Sequence, residues 1–293
     1  MLRSVKDIAD AYTQGRVHTQ RFLKNAGTSQ NGLWEDWAYA SGQPALEPRV
    51  GNPLAFLPYV SAGNKAIYFP PKLPEQQRFL TEVVVRALPN GTGQTSIDFQ
   101  MYDLLGVYPL IDGDSTDLQE LDNTLTLPRY TDGVGVKGIL VNQISAASGV
   151  TGLTTTVNYT GTDNVDRDAT VYVSNSNPLA KASFSLAPAV SQCPLYLPFD
   201  SSGVKKVNNV TFAIAPGGLW AVYLVKPICL IENQVGAKAG ALTASIFSEK
   251  SLVVENGFMP PEIFDGASLG FFYLPVGSTR TTSIFGKATF IWG

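Results

Sequence analysis

Short runs in which apolar and polar residues alternate, separated by turn-forming residues, constrain this chain more than any other feature. Between Asn209 and Ala215, for example, Val210, Phe212 and Ile214 are spaced two apart. A period of two places such residues on one face of a β-strand. Many short strands with glycine- and proline-rich turns between them are typical of all-β folds. The sequence therefore predicts a mainly β protein, composed of antiparallel β-sandwich or jelly-roll-like units.

Other segments rich in β-branched and aromatic residues predict further strands. They cover residues 79–86, 153–160, 170–173, 219–225, 228–231, 271–274 and 288–292. Residues 134–225 carry most of the regular alternation, and we interpret them as a second β-sandwich unit. That unit is inserted into a β body made of residues 51–133 and 226–293. A simple sequential arrangement of the strands is the alternative.

The N-terminal segment follows a helical pattern instead. Ser4 fits a helix N-cap, and apolar residues recur at helical spacing from Val5 to Tyr12. Gly15 is typical of the residue that follows a helix. A second short helix is predicted over residues 19–26. Because helices this short are marginal in water, we expect them to dock on their own domain or on a neighbouring subunit.

A proline- and aromatic-rich stretch, residues 28–74, follows the predicted helices. Proline and the residue before it favour extended backbone. Exposed tryptophans would be costly in water, and this stretch carries Trp34 and Trp37. We interpret residues 1–50 as a helical and extended arm that contacts another subunit, with an ordinary domain segment as the alternative. The candidate interface residues of this arm are Phe22, Trp34, Trp37 and Tyr39.

The charge distribution argues against nucleic-acid and membrane partners. The chain has 24 acidic and 21 basic residues, a formal net charge of −3, and no basic run. Broad binding to nucleic-acid phosphates requires clustered positive charge. The densest basic spot is Lys205-Lys206, which we interpret as a solvated turn. No run of 18 apolar residues occurs, so we expect no membrane span. Charged residues make up only 15 %. This low content is typical of a surface that neighbouring subunits cover, and equally of an extracellular-type β protein whose turns use Gly, Asn, Ser and Thr.

Residues with catalytic or metal-binding chemistry are sparse. His18 is the one histidine, and the spacing of Cys193 and Cys229 fits no zinc motif. An EF-hand loop beginning at Asp112 fails, because its twelfth position is Asn123 rather than glutamate. A looser calcium site over residues 112–117 is the alternative to a solvated loop with capped turns. We expect no enzyme activity, no catalytic residue, no cofactor and no metal.

Four segments carry a resemblance to a known family. They are residues 102–136, 37–53, 197–207 and 260–269, and the sequence Leu-Pro-Arg-Tyr-Thr-Asp-Gly at 127–133 is the most specific part. In these segments the chain resembles virion structural proteins of tailed bacteriophages, of the capsid decoration or minor head type. The match departs from the family pattern at 199–201 and at Lys205, where the family has arginine.

The resemblance implies a capsid decoration (cement) protein. Its partners would be the major capsid protein and copies of itself, as a homo-oligomer, in a virion assembled in the host cytoplasm. A neck or tail protein, or a fibre-type protein that binds host carbohydrate, is the alternative. The family has no catalytic residues to transfer to this chain.

The 127–136 segment also supports a prediction from its residues alone. Pro128 fixes an extended backbone, and Gly133 and Gly135 permit tight geometry. We expect Arg129 to pair with a carboxylate or carbonyl at a junction between β units, with Tyr130 packed beneath. Both residues are also candidate interface residues.

Overall fold

The computed structural model describes residues 4–28, 34–45, 49–61, 66–89, 94–144, 153–173, 182–183, 197, 199–231, 246–252, 260–277 and 281–293. The described chain is mostly antiparallel β structure with a short N-terminal helix. The predicted fold class, a mainly β protein of sandwich type with a short helix at its N-terminus, is confirmed.

The helical elements are α1 (Val5–Thr13) and a 3₁₀ turn (Trp37–Tyr39). The strands are β1 (Val17–Thr28), β2 (Trp34–Asp36), β3 (Ser41–Gln43), β4 (Leu57–Pro58), β5 (Arg78–Pro89), β6 (Gln94–Asp112), β7 (Gln119–Glu120), β8 (Lys137–Ile144), β9 (Leu153–Gly161), β10 (Asp166–Val173), β11 (Ala182–Ser183), β12 (Val204–Phe212), β13 (Leu219–Ile231), β14 (Ile246–Ser251), β15 (Leu269–Gly277) and β16 (Thr281–Trp292).

These strands form three sheets. The five-stranded sheet has the order β14-β5-β16-β1-β3, and the four-stranded sheet has the order β10-β9-β12-β7. The seven-stranded sheet has the order β13-β8-β11-β2-β15-β6-β4, and β13 also pairs with β6. The paired strands are antiparallel throughout the described residues.

The long strand β6 contributes to both large hydrophobic cores. Phe99 and Met101, in its first half, pack in the core shared with the five-stranded sheet. Leu105 and Tyr108, in its second half, pack in the core shared with the four-stranded sheet. A third cluster, which includes Tyr102, lies among strands of the seven-stranded sheet itself. One strand therefore connects two sandwich-like layers.

The helix α1 forms as the sequence predicts. The Ser4 hydroxyl accepts a hydrogen bond from the Asp7 backbone N–H at 3.2 Å, which caps the first turn. Ile8 on its buried face joins a small cluster with Phe79 and Ile291. The helix thus docks on the five-stranded sheet of its own chain.

The predicted second helix over 19–26 is wrong, since these residues lie in β1. Cross-strand pairs with β16 run from Val17 opposite Ile291 to Thr28 opposite Thr281. Burial alternates along the strand, with Phe22 buried and Leu23 exposed. A ladder of this length outweighs the weak helical preference of a short segment.

The predicted division into an arm, a body and an inserted unit stays a prediction. Strands β9, β10 and β12, all from residues 134–225, form the four-stranded sheet together with β7. Strand β8 and most of β13 come from the same segment and lie in the seven-stranded sheet. From residues 1–50, β1 pairs with β16 and β2 pairs with β15.

Candidate functional site

Arg129 is the centre of a buried polar junction. Its Nε donates to Asp103 Oδ2 at 2.9 Å, and its Nη2 donates to Asp103 Oδ1 at 2.7 Å. The same guanidinium donates to the carbonyls of Tyr59 at 3.0 Å and Leu104 at 2.9 Å. The predicted pairing of Arg129 with a carboxylate is thus confirmed, and it fastens the 127–136 loop to β6 and to the segment at Tyr59.

Asp103 is held from a second direction as well. Its Oδ1 accepts the Ser268 backbone N–H at 2.7 Å. Burial raises the pKa of Asp103, while the hydrogen bonds from Arg129 oppose that rise. Because both side chains are buried, the pair joins chain segments and is not open to a ligand.

Tyr130 follows with a left-handed backbone, φ 50°. Its half-buried ring lies edge-on to Phe264, with the centroids 5.1 Å apart. Lys226 Nζ lies 5.2 Å from the centre of the same ring. These contacts pack the loop against neighbouring segments of its own chain, and an interface role for Arg129 and Tyr130 stays a prediction.

A second buried ionic cluster lies beside β2 and β6 of the seven-stranded sheet, the strands of Asp36 and Tyr102. Arg49 Nε lies 2.9 Å from Asp36 Oδ2. The Tyr102 hydroxyl donates to Asp36 Oδ1 at 2.7 Å and accepts from Arg49 Nη2 at 2.8 Å. The rings of Tyr59 and Tyr223 face the guanidinium, with centroids at 5.6 and 5.2 Å. Burial raises the pKa of Tyr102 and of Tyr223 well above the ordinary range, so both phenols stay protonated.

The predicted interface aromatics of the N-terminal segment lie inside the chain. Phe22, Trp34 and Trp37 are 3 %, 0 % and 2 % exposed. The Trp37 ring is edge-on to Phe22 at 5.3 Å between centroids, and the Tyr39 and Tyr223 hydroxyls are 3.1 Å apart. The protein's own core therefore covers these side chains, and their contact with another subunit stays a prediction.

The acidic loop at 112–117 forms capped turns. Asp112 Oδ1 accepts the Asp114 N–H at 2.9 Å, and Ser115 Oγ accepts the Asp117 N–H at 3.1 Å. Such bonds are typical of Asx and Ser turns. Across the described ranges, no three histidine, cysteine or acidic side chains come together as a metal site would require. Binding of calcium stays untested.

The remaining candidate groups are His18 and the two cysteines. His18 is edge-on to Tyr68, 5.7 Å between ring centroids. Cys229 is buried, and Cys193 falls outside the described residues.

A pocket of about 200 Å³ opens between the 123–131 loop and the hairpin of β9 and β10. Phe56, Tyr108 and Leu127 form its apolar base. The position of the loop is fixed because the Tyr108 hydroxyl donates to Asn123 Oδ1 at 2.6 Å and accepts the Val207 N–H at 3.0 Å.

The mouth of this pocket is basic. Lys205 and Lys206 both line it, although neighbouring residues of a regular strand point to opposite faces. The β12–β9 register shifts between Val204 and Lys206, which is a β-bulge at Lys205. The sequence interpretation of these lysines as a solvated turn missed this arrangement, because a bulge leaves no pattern in the residue types.

Comparisons with known proteins do not identify the chain. No protein-family model matches it, and no curated protein matches it. A solved structure of the infectious bursal disease virus VP2 subviral particle is 10 % identical, covering 94 % of this chain and 80 % of that chain, with a TM-score of 0.19. A structure of T=1 particles derived from the same virus is 12 % identical, covering 94 % of this chain and 77 % of that chain, with a TM-score of 0.17. Scores this low carry no argument about function.

The described part of the chain contains no helix with the length and apolar character that a membrane crossing would need.

Proposed function

We propose that this protein is a structural component of a tailed-phage virion, a decoration protein that stabilises the capsid. It would contact the major capsid protein and copies of itself as a homo-oligomer, in a virion assembled in the host cytoplasm. The resemblance in residues 102–136, which is most specific at 127–133, supports the phage assignment. An apolar patch on the five-stranded sheet supports the structural role.

The proposal rests on apolar side chains that are exposed on the outer face of the five-stranded sheet. Leu23 lies directly opposite Phe285 on the neighbouring strand, so both side chains point to the same face. Leu23 is 47 % exposed, and Phe285 is half-buried. Both line an open depression of about 440 Å³ together with Arg21. We call this surface the Leu23 patch.

The Leu23 patch has a rim of basic side chains. Arg21 and Arg86 are exposed on the two strands that flank β16. Lys287, directly opposite Arg21 on β16, donates to Glu82 Oε2 at 2.8 Å. An apolar centre with a polar rim is the usual anatomy of a protein interface. An acidic group on the capsid opposite Arg21 would complement this rim.

Repetition makes a modest patch sufficient for cementing a shell. Each Å² of apolar surface removed from water contributes about 25 cal/mol. A symmetric shell repeats the same contact at every equivalent position. The patch lies on the paired strands β1, β16 and β5, so little order has to be gained on binding.

We also propose that the protein has no catalytic activity. Tyr102 and Tyr223, whose pKa values burial raises well above the ordinary range, lie in buried structural contacts. A catalytic group must be reachable by a substrate.

A binding assay with shells that lack this protein tests the proposal. The wild-type protein is expected to co-sediment with such shells and to raise their disruption temperature. Leu23→Lys is expected to weaken co-sedimentation at least about tenfold, because a charge is forced into an apolar contact. Val165→Lys is the matched control, since Val165 is 50 % exposed but lies at the tip of the β9–β10 hairpin. Failure of the wild-type protein to bind shells would overturn the proposal.

A further inference from the structure

The pocket with Lys205 and Lys206 at its mouth has the features of a small-molecule site. Ligand pockets combine an apolar lining with a few convergent polar groups. Here the apolar base of Phe56, Tyr108 and Leu127 lies below polar groups of Thr160 and Asn164. The remaining polar lining residues are Asn123, Thr126 and Thr131.

The charge of the pocket selects for an anion. Both lysines line it, and no carboxylate is among the described residues of the lining. Asp166, nearby, accepts a hydrogen bond from Thr160 Oγ1 at 2.6 Å, and that bond and Lys206 both lower the pKa of Asp166. Both lysines place positive charge on the lining, and a bound anion would be attracted to each of them.

The polar wall is fixed before any ligand arrives. Lys205 Nζ donates to Asn164 Oδ1 at 2.7 Å. Asn164 lies at the tip of the β9–β10 hairpin with φ 64°. Arg167 donates to Asp163 Oδ1 at 2.8 Å and closes the same hairpin tip. A wall held in this way loses little conformational freedom on binding, which favours affinity.

Size and surface chemistry narrow the ligand further. The volume of about 200 Å³ is below the roughly 300–1,000 Å³ typical of drug-sized ligands. A single sugar ring presents an apolar C–H face to a base such as Phe56 and Leu127. Its hydroxyls match the Thr and Asn groups of the wall, each of which both donates and accepts. A carboxylate on the ring would meet the two lysines.

We propose that this pocket binds an acidic monosaccharide, with Lys205 and Lys206 at the carboxylate and Thr126, Thr131 and Asn164 at the hydroxyls. The inference does not depend on the decoration function. The Leu23 patch lies on the five-stranded sheet, whereas Lys205 and Thr160 belong to strands of the four-stranded sheet.

Calorimetric titration of the full-length protein tests this proposal. The probes are glucuronate, galacturonate, glucose and inorganic sulfate. At least one of the two uronates is expected to bind at least about tenfold more tightly than glucose and than sulfate, because charged hydrogen bonds and ring contacts both contribute. Lys206→Gln is expected to weaken uronate binding by about tenfold or more. Lys6→Gln removes the same charge from the exposed face of α1 and is expected to leave the affinity unchanged.

Three results would overturn the proposal. The first is that neither uronate binds. The second is that sulfate binds as tightly as the uronates, which indicates a simple anion site. The third is that the Lys206 and Lys6 substitutions weaken uronate binding equally, which indicates a general effect of charge. Capsid binding by the same variants is measured separately, so the failure of one proposal leaves the other to its own test.

Discussion

Arg129 and Asp103 are joined by two parallel hydrogen bonds, of 2.9 and 2.7 Å, between side chains that are 6 % and 2 % exposed. The pair connects the loop of residues 127–136 to the middle of β6, the strand that both large cores share. Planar bidentate pairing of this kind is specific to arginine.

Arg129→Ala is expected to destabilise the protein by about 3–5 kcal/mol, because Asp103 would remain buried without its partner. The double variant Arg129→Ala, Asp103→Ala is expected to cost less than the sum of the two single variants. Urea unfolding of all four proteins measures both quantities. Additive costs, or an unchanged free energy of unfolding in Arg129→Ala, would show that the ion pair does not hold the junction.

Tyr102→Phe removes a hydroxyl that bonds to both Asp36 and Arg49. The expected loss in the free energy of unfolding is about 1–3 kcal/mol, the cost of leaving buried polar partners unsatisfied. Tyr68→Phe serves as the control, since Tyr68 is 48 % exposed and its change is expected to stay within about 0.5 kcal/mol. Similar losses in both variants would contradict the role given to the Tyr102 hydroxyl.

Deletion of residues 1–50 is expected to abolish cooperative unfolding. The deletion removes β1, which lies between β16 and β3, and also removes the buried Trp34 and Trp37. Deletion of residues 1–15 removes α1 and leaves all strands, so a cooperative transition at lower temperature is expected. Calorimetry distinguishes the two cases, and a sharp transition in the longer deletion would show that the segment is a dispensable arm.

The β9–β10 hairpin is expected to weaken in acid. Hydrogen bonds from Arg167 lower the pKa of Asp163 below its ordinary value. A carboxylate whose pKa is lower in the folded state stabilises the fold above the unfolded pKa of about 3.9, and this contribution is lost as the pH falls. Asp163→Asn is therefore expected to melt at a lower temperature than wild type at pH 6. The gap should narrow below about pH 4, and a gap that does not depend on pH would contradict this assignment.

The elements that depend on local sequence patterns were predictable from the sequence. The alternation around Val210 and the cap at Ser4 both appear in the structure as a strand and a helix start. Residues 19–26 were predicted wrongly because their β conformation depends on β16, whose residues lie more than 250 positions away. Long-range pairing of this kind is not visible in a window of local residues.

The contacts of the candidate site also depend on long-range pairing that local sequence does not show. A partner for Arg129 was predictable from its position in a constrained turn, but its identity as Asp103 depends on the path of β6. The aromatic residues Trp34 and Trp37 were correctly expected to need cover, and their own chain supplies it. The basic pocket mouth required the bulge at Lys205, which depends on the register of β12 against β9.

The copy number of this protein in purified virus particles tests the central claim most directly. Quantitative mass spectrometry against the major capsid protein provides it. A decoration protein that repeats with the shell symmetry is expected at on the order of hundreds of copies per particle. A value of a few tens or fewer would contradict the account and indicate a neck, tail or fibre component, and absence from the particle would exclude a virion role.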